Sequence, residues 1–240
     1  MQLGCVEDGL DQAEILRSRA AAERLQAAGL YMRAAELLEH QLFARAGELA
    51  KGPLSARVAT LFILAGRSDR AIQTLRRSDN RSLTDEMIHE RKRVEAVALT
   101  RIGRVEEAIA VLEDVPDSAG LRSEILWHKR DWQRLASETS RQLPSGPSLS
   151  DVDQAVLLRH AVSLAMLGRE EELATLRGRY AAQFTGKATE PLFDLLTRAV
   201  SSLDSAALAR AMAAIPSASP AGALADLIDA SPAAGTSKGG

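Results

Sequence analysis

The stretch Leu64 to Arg77 reads L-A-G-R-S-D-R-A-I-Q-T-L-R-R, and Arg101 to Asp114 reads R-I-G-R-V-E-E-A-I-A-V-L-E-D. Both contain the frame G-R-x-x-x-A-I-x-x-L, and their glycines, Gly66 and Gly103, lie 37 residues apart. A frame that recurs at a fixed distance of this size indicates an internal structural repeat. The repeat therefore predicts the architecture before any single residue is interpreted.

The same frame extends to both sides of these two stretches. Gly29 lies 37 residues before Gly66, and Gly168 lies 65 residues after Gly103. The longer step accommodates two repeats if Arg130 stands where the other repeats have glycine. Residues at fixed offsets from the turn agree with this register. Small residues lie seven positions before it (Ala22, Ala59, Ala96, Ser123 and Ala161), and larger apolar residues lie four positions before it (Leu25, Phe62, Leu99, Leu126 and Leu164). Alanine or leucine lies five positions after it (Ala34, Ala71, Ala108, Leu135 and Leu173), and leucine lies nine positions after it (Leu38, Leu75 and Leu112), with Thr139 and Arg177 as exceptions.

These offsets predict a pair of helices in each repeat. An alanine and a leucine three residues apart share one helix face, where the small side chain lets a neighbouring helix approach closely. The glycine suits the left-handed turn that ends one helix and reverses the chain into the next. A single antiparallel pair cannot bury both of its faces, so successive pairs are expected to stack.

This pattern resembles the tetratricopeptide repeat (TPR) family, whose helix–turn–helix units of ~34 residues keep small residues at fixed sites and a glycine near the turn. The resemblance covers about Leu10 to Tyr180. Ser18, Ser55 or Lys92 replaces the family's aromatic residue near the start of the first helix, no proline recurs in register, and the period is 37 residues. We therefore predict an all-α fold, a TPR-like α-solenoid of about five to six stacked antiparallel helix pairs.

Breaks in the helical pattern suggest how the chain is divided. Residues 1–142 are predicted to form TPR-like repeats, and 143–149, with two prolines and one glycine, a linker. Residues 150–215 are predicted to add further helical pairs of the same solenoid. A short capping helix and a disordered tail are expected over 216–240.

Local signals predict several helix ends. Thr84 and Ser150 each precede acidic residues in the manner of helix N-caps, and Asp153 gives Ser150 a capping arrangement. Gly52-Pro53 is predicted to end the helix that begins at Tyr31. A sixth pair is predicted over 189–214, with a break near residues 203–204.

Composition argues against several classes of partner. The chain has 30 Lys and Arg against 32 Asp and Glu, a net charge of −2, so no nucleic acid or anionic membrane is expected as a partner. The longest apolar run is far below the ~20 residues that cross a bilayer, so no membrane span is expected. Cys5 is the single cysteine, and because neither a basic segment nor an apolar stretch lies before it, no signal peptide is expected. The default localisation is cytoplasmic; it is unknown if the chain is a fragment of an exported protein.

The sequence contains no recognisable catalytic or cofactor motif. The four histidines, His40, His89, His128 and His160, lie in different repeats without a second metal ligand at helical spacing. Glycine-rich nucleotide loops and the nucleophile elbow G-x-S-x-G are absent. We therefore expect no enzyme activity, no cofactor, no metal and no small-molecule substrate.

Basic residues on the first helices of the repeats suggest where a ligand could bind. In the TPR family the first helices line the groove, so Arg57, Lys92, Arg93 and Arg159 are candidate groove contacts for acidic side chains or a carboxyl terminus. The alternative is a solvated face balanced by nearby glutamates. Asn80 is the only asparagine and is predicted to lie in a loop, which argues against the TPR carboxylate clamp.

Two apolar features have two interpretations each. Trp127 and Trp132 either pack in the core around the turn of the fourth pair, which we favour, or anchor an interface. The tail segment with Leu224, Leu227 and Ile228 either caps the last pair, which we favour, or inserts into a partner.

Three function classes remain open. The first is a non-catalytic protein–protein interaction or scaffold module that binds a protein or peptide in the groove. The second is the C-terminal structural portion of a larger TPR-type protein, including one of the bacterial cell envelope. The third, disfavoured by the charge and by 3% aromatic content, is an RNA-binding helical repeat.

Overall fold

A computed structural model describes residues 3–44, 48–79, 83–198, 205–215 and 228. Every secondary-structure element among the described residues is a helix, and none is a strand, which confirms the all-α prediction. In chain order the helices are α1 (Leu3–Ala27), α2 (Tyr31–Ala44), α3 (Glu48–Leu64), α4 (Ser68–Arg77), α5 (Asp85–Arg101), α6 (Val105–Val111), α7 (Ala119–Lys129), α8 (Trp132–Ser140), α9 (Asp151–Met166), α10 (Glu170–Phe184), α11 (Glu190–Leu196) and α12 (Ser205–Ala214).

The chain divides into two compact units. The first unit comprises Met1–Pro116 with Asp226–Gly240, and the second unit comprises Asp117–Ala225. In the first unit each helix from α1 to α4 packs on the next, and α5 contacts α3, α4 and α6. In the second unit α7 packs on α8, α8 on α9, and α9 on both α10 and α11, while α11 also contacts α10 and α12. The predicted linker 143–149 is non-helical and lies between α8 and α9, inside the second unit.

Five tight turns have the same backbone geometry, as the repeat register predicts. Their turn residues have positive φ: Gly29 (73°), Gly66 (74°), Gly103 (81°), Arg130 (58°) and Gly168 (67°). In every case the next N–H donates to the carbonyl five residues earlier, as from Arg67 to Phe62 at 2.7 Å and from Asp131 to Leu126 at 3.0 Å. This is the Schellman end of an α-helix, and Arg130 adopts it without being glycine.

Most residues at the fixed offsets are buried, as predicted. Ala59 and Phe62 of α3 and Ala71 and Leu75 of α4 are at most 2% exposed. Burying side chains of the size of Phe62 and Leu75 stabilises the fold by about 1.5–3 kcal/mol each. The repeated frame is therefore a packing pattern.

The prediction that Gly52-Pro53 ends a helix is wrong. Helix α2 ends at Ala44, and α3 runs from Glu48 through Pro53 to Leu64. A Cβ on Gly52 would meet Met87 Sδ at 2.7 Å and Leu83 Cδ2 at 2.9 Å. Glycine stands here because α3 passes close to the start of α5, and not because the chain turns.

The predicted N-caps are confirmed. The Thr84 hydroxyl accepts from the Met87 N–H at 3.4 Å. Ser150 Oγ accepts from the Asp153 N–H at 3.2 Å, and the Asp153 carboxylate accepts from the Ser150 N–H at 2.9 Å. This reciprocal capping box begins α9.

Predictions for the last part of the chain are tested only in part. The sixth pair corresponds to α11 and α12. The predicted break at residues 203–204, the loop residue Asn80, and Leu224 and Leu227 of the tail lie outside the described residues. Ile228 is described, and its carbonyl accepts a hydrogen bond from Arg101 Nη1 of α5 at 3.3 Å.

Candidate functional site

The four predicted groove residues are divided between the two compact units. Arg57 of α3 and Lys92 and Arg93 of α5 belong to the first unit, and Arg159 of α9 to the second. Arg57 forms an exposed ion pair with Glu23 at 3.4 Å. A groove that contains these residues stays a prediction.

Lys92 and Arg93 lie in different surroundings on α5. Arg93 pairs with Glu90 at 3.5 Å and donates to the Pro116 carbonyl at 2.9 Å, so its charge is partly neutralised. Lys92 is half-buried and lines a cavity of about 170 Å³ between α4 and α5, which Glu95 also lines.

The neighbouring Arg91 is a structural residue that sequence reasoning did not single out. It is 7% exposed, and its guanidinium donates to Ser55 Oγ at 2.6 Å, Ser78 Oγ at 3.0 Å and the Leu75 carbonyl at 2.5 Å. Burial lowers the pKa of Arg91, and the charge of Asp79 opposes this. Arg91 thereby ties the end of α4 to α3 and α5.

Arg159 is buried beside two other ionisable groups. It is 4% exposed, and its Nη1 lies 2.5 Å from Glu124 Oε2 on α7. His128 Nε2 lies 3.6 Å from the other carboxylate oxygen. Although burial opposes it, the hydrogen bond from His128 and the charge of Arg159 lower the pKa of Glu124. Arg159, Glu124 and the half-buried His128 thus form a cluster of the second unit in which the opposite charges of Arg159 and Glu124 are paired, and we call this cluster the support.

The support carries two tryptophans. The Arg159 guanidinium lies over the Trp127 ring at 5.6 Å from its centroid. Trp127 and Trp132 form an edge-to-face pair with centroids 5.7 Å apart and planes inclined by 78°. Both are half-buried and pack against the core of the second unit, in agreement with the favoured interpretation.

The same tryptophans also line an open cleft of about 570 Å³, which we call the tryptophan cleft. Its lining consists of Trp127, His128, Arg130, Trp132, Met166, Leu208, Ala209, Met212 and Ala213. Met166 is 43% exposed, although most large apolar side chains described in the second unit are buried. The α7–α8 turn, the end of α9 and the outer face of α12 thus combine to expose an apolar surface.

Arg130 occupies the turn between the two tryptophans. Its backbone is left-handed, with φ 58° and ψ 32°, and its side chain is exposed. Among the described residues it has no side-chain hydrogen bond or ion pair. Asp131, its neighbour, caps α8 through Arg134 N and pairs with the Arg134 side chain at 3.3 Å. Arg130 is thus a cation held at the cleft without a carboxylate.

His160 is buried in the second unit and forms a hydrogen bond there. His160 Nδ1 lies 2.8 Å from Thr139 Oγ1, whose hydroxyl is 2.7 Å from the Leu135 carbonyl and donates to it, so the imidazole donates to Thr139. Burial lowers the pKa of His160 and favours its neutral form. In the described parts of the chain, no three His, Cys, Asp or Glu side chains gather as metal ligands would. Every helix there is too short or too polar to cross a bilayer.

Comparison with protein-family models, curated proteins and solved structures finds no match. Function is therefore inferred from the residues of this chain alone.

Proposed function

We propose that the protein is a non-catalytic protein-interaction module that binds a segment of a partner protein in the tryptophan cleft. The observation that carries this proposal is the half-buried pair Trp127 and Trp132, which lines the cleft and is contacted by the Arg159 guanidinium of the buried Arg159–Glu124 pair. Tryptophan and arginine dominate the energetics of protein interfaces when they lie on a rigid base. A volume of about 570 Å³ is within the range of pockets that bind ligands.

The lining supports binding in preference to chemistry. Its described residues are aromatic, aliphatic or cationic, and a catalytic constellation needs a nucleophile or a base that another group orients. Among the described lining residues His128 carries the only imidazole, and its Nε2 lies 3.6 Å from the Glu124 carboxylate.

We further propose that each unit is a stack of TPR-like helix pairs. The five Schellman turns and the packing of successive helices within each unit support this architecture. Stacked pairs of this kind present extended surfaces for protein ligands.

The test is a selection of random peptides on the intact protein, followed by titration of the selected peptides. Because Trp127 and Trp132 are the only tryptophans, intrinsic fluorescence reports directly on the cleft. We expect Met166→Gln to weaken selected peptides about fivefold, since about 1 kcal/mol of apolar contact is lost.

The matched control is Ile102→Gln in the first unit. Ile102 is 42% exposed, close to the 43% of Met166, and it also lies near a turn glycine. Equal weakening by the two substitutions, or a failure to select any peptide that changes the fluorescence, would contradict the proposed function.

A further inference from the structure

We infer that the tryptophan cleft recognises an acidic partner segment, in which a large apolar side chain lies next to Asp or Glu and Arg130 binds the carboxylate. This inference rests on the proposed function and adds the chemistry of the partner. The large apolar side chain of the partner is expected to contact Trp127, Trp132 and Met166.

The backbone of Arg130 provides the first reason. Four of the five equivalent turns use glycine, which adopts positive φ without strain. Arginine at φ 58° is strained, and such outliers point to function when the residue also lies at a site. The Arg130 side chain, which is present despite this strain, lines the cleft. Arginine at a turn where the other repeats have glycine therefore lowers the stability of the fold and places a cation at the cleft.

The charge of the cleft provides the second reason. The described lining contains the cation of Arg130 and the imidazole of His128, and it contains no carboxylate. Two acidic groups beside the lining residues are already engaged: Glu124, which lies 3.6 Å from His128, pairs with Arg159, and Asp131, next to Arg130 in the chain, pairs with Arg134. The cleft is thus locally cationic although the chain carries a net charge of −2. A basic segment would meet repulsion here, whereas a carboxylate would find an unengaged guanidinium.

The geometry of the groups provides the third reason. A guanidinium presents a planar fork that matches a carboxylate with two parallel hydrogen bonds. Arg130 lies in the turn between the two tryptophans, so one ligand residue can rest on the indole rings while an adjacent residue reaches the fork. Apolar contact supplies affinity, and the guanidinium selects the sign of the neighbouring charge.

The experiment uses the intact protein and three synthetic peptides. Each has a central Leu-Phe, flanked on both sides by Glu, by Gln or by Lys. Tryptophan fluorescence is titrated with each peptide at low salt. We expect the Glu peptide to bind about tenfold more tightly than the Gln peptide, and the Lys peptide to bind more weakly than either.

Two substitutions assign the effect to Arg130. In Arg130→Gln and Arg130→Gly, the preference for Glu over Gln should fall to about twofold. Arg130→Gly also relieves the strained backbone, so its thermal midpoint should not fall, and loss of affinity cannot be attributed to unfolding. Arg141→Gln is the control, because it removes an equal charge from an exposed site in the second unit that does not line the cleft.

The outcomes separate the inference from the proposed function. If Arg130→Gln retains the full preference for Glu, or if Arg141→Gln abolishes it equally, the role of Arg130 is wrong. If randomly selected peptides bind the cleft but lack Asp and Glu, the proposed function stands and this inference fails. If neither the selected nor the three synthetic peptides change the fluorescence, both fail.

Discussion

At the scale of single residues, the five turns share one backbone conformation, which glycine adopts in four of them and Arg130 in the fifth. Arg130 has φ 58°, where an L-residue with a Cβ costs about 1 kcal/mol or more relative to glycine. We predict that Arg130→Gly raises the free energy of unfolding by about 1 kcal/mol, as measured by urea denaturation followed by circular dichroism.

The reverse substitution at an equivalent turn is the natural control. Gly103 has φ 81°, and an added Cβ would meet nothing within 4 Å, so only backbone strain would act. Gly103→Ala should lower the free energy of unfolding by about 1–2 kcal/mol. Opposite signs for the two substitutions are expected, and a destabilising Arg130→Gly would show that the side chain contributes contacts to the fold.

The register of these turns was predictable from sequence, but the role of Arg130 was not. Offsets from Gly29, Gly66 and Gly103 located the helix ends because the Schellman turn depends only on local residues. The cleft also requires Met166 and Met212, which are far from Arg130 in sequence. The one available signal was an arginine at a position where the other repeats have glycine.

At the scale of helices, the junction of α4 and α5 depends on Arg91. Its two terminal nitrogens reach oxygens on Ser55, Ser78 and Leu75, and the residue is 7% exposed. Lysine would keep the charge but has one nitrogen, so it cannot reach all three. We predict that Arg91→Lys lowers the free energy of unfolding by about 1–3 kcal/mol in urea denaturation.

Arg76→Lys provides the comparison at the same junction. Arg76 of α4 pairs with Glu95 of α5 at 3.0 Å, but its side chain is 55% exposed. Solvent-exposed ion pairs contribute about 0–1 kcal/mol, so this change should be small. Similar losses in Arg91→Lys and Arg76→Lys would show that the buried hydrogen bonds of Arg91 add little stability.

Helix ends were predicted correctly where the signal is local, as at Thr84 and Ser150. The prediction failed at Gly52-Pro53, because the usual rule treats this pair as a helix end. Gly52 instead gives room to Met87 and Leu83, which follow it by more than thirty residues. A contact at that separation leaves no periodic signal in the sequence around Gly52.

At the scale of the whole molecule, near-balanced charge conceals different local environments. The chain has 30 basic and 32 acidic residues, and arginines such as Arg57, Arg70 and Arg122 pair with glutamates. Sequence reasoning could identify basic residues on first helices, but pairing and burial depend on helices from other repeats. This is why Arg159 is a buried support for Trp127, whereas Arg130 is exposed at the cleft.

Two buried groups of the second unit, His160 and Glu124, are expected to make its stability depend on pH. His160 is buried there, and burial lowers its pKa below the ordinary 6.5; the charge of Glu172 opposes this shift, and the charge of Arg169 adds to it. As the pH falls through 6.5, the unfolded chain binds a proton that the native imidazole does not. The free energy of unfolding therefore falls, by at most about 1.4 kcal/mol per pH unit for one group, until the native pKa is passed.

A second decline is expected at lower pH from Glu124. Its native pKa lies below the ordinary 4.5, because the hydrogen bond from His128 and the charge of Arg159 outweigh the opposing effect of burial. Its stabilising contribution is complete above 4.5 and is lost as the pH falls through the native pKa.

Both steps can be followed by urea denaturation monitored through tryptophan fluorescence, since Trp127 and Trp132 belong to the same unit as His160 and Glu124. In His160→Asn, an amide can still donate to Thr139 Oγ1 but does not titrate. The decline between about pH 7.5 and 5.5 should therefore be smaller than in the wild type, with the decline below pH 4.5 retained. The other three histidines are present in both proteins, so the comparison isolates the effect of His160. An identical decline in the two proteins would show that the buried imidazole takes up its proton without loss of stability.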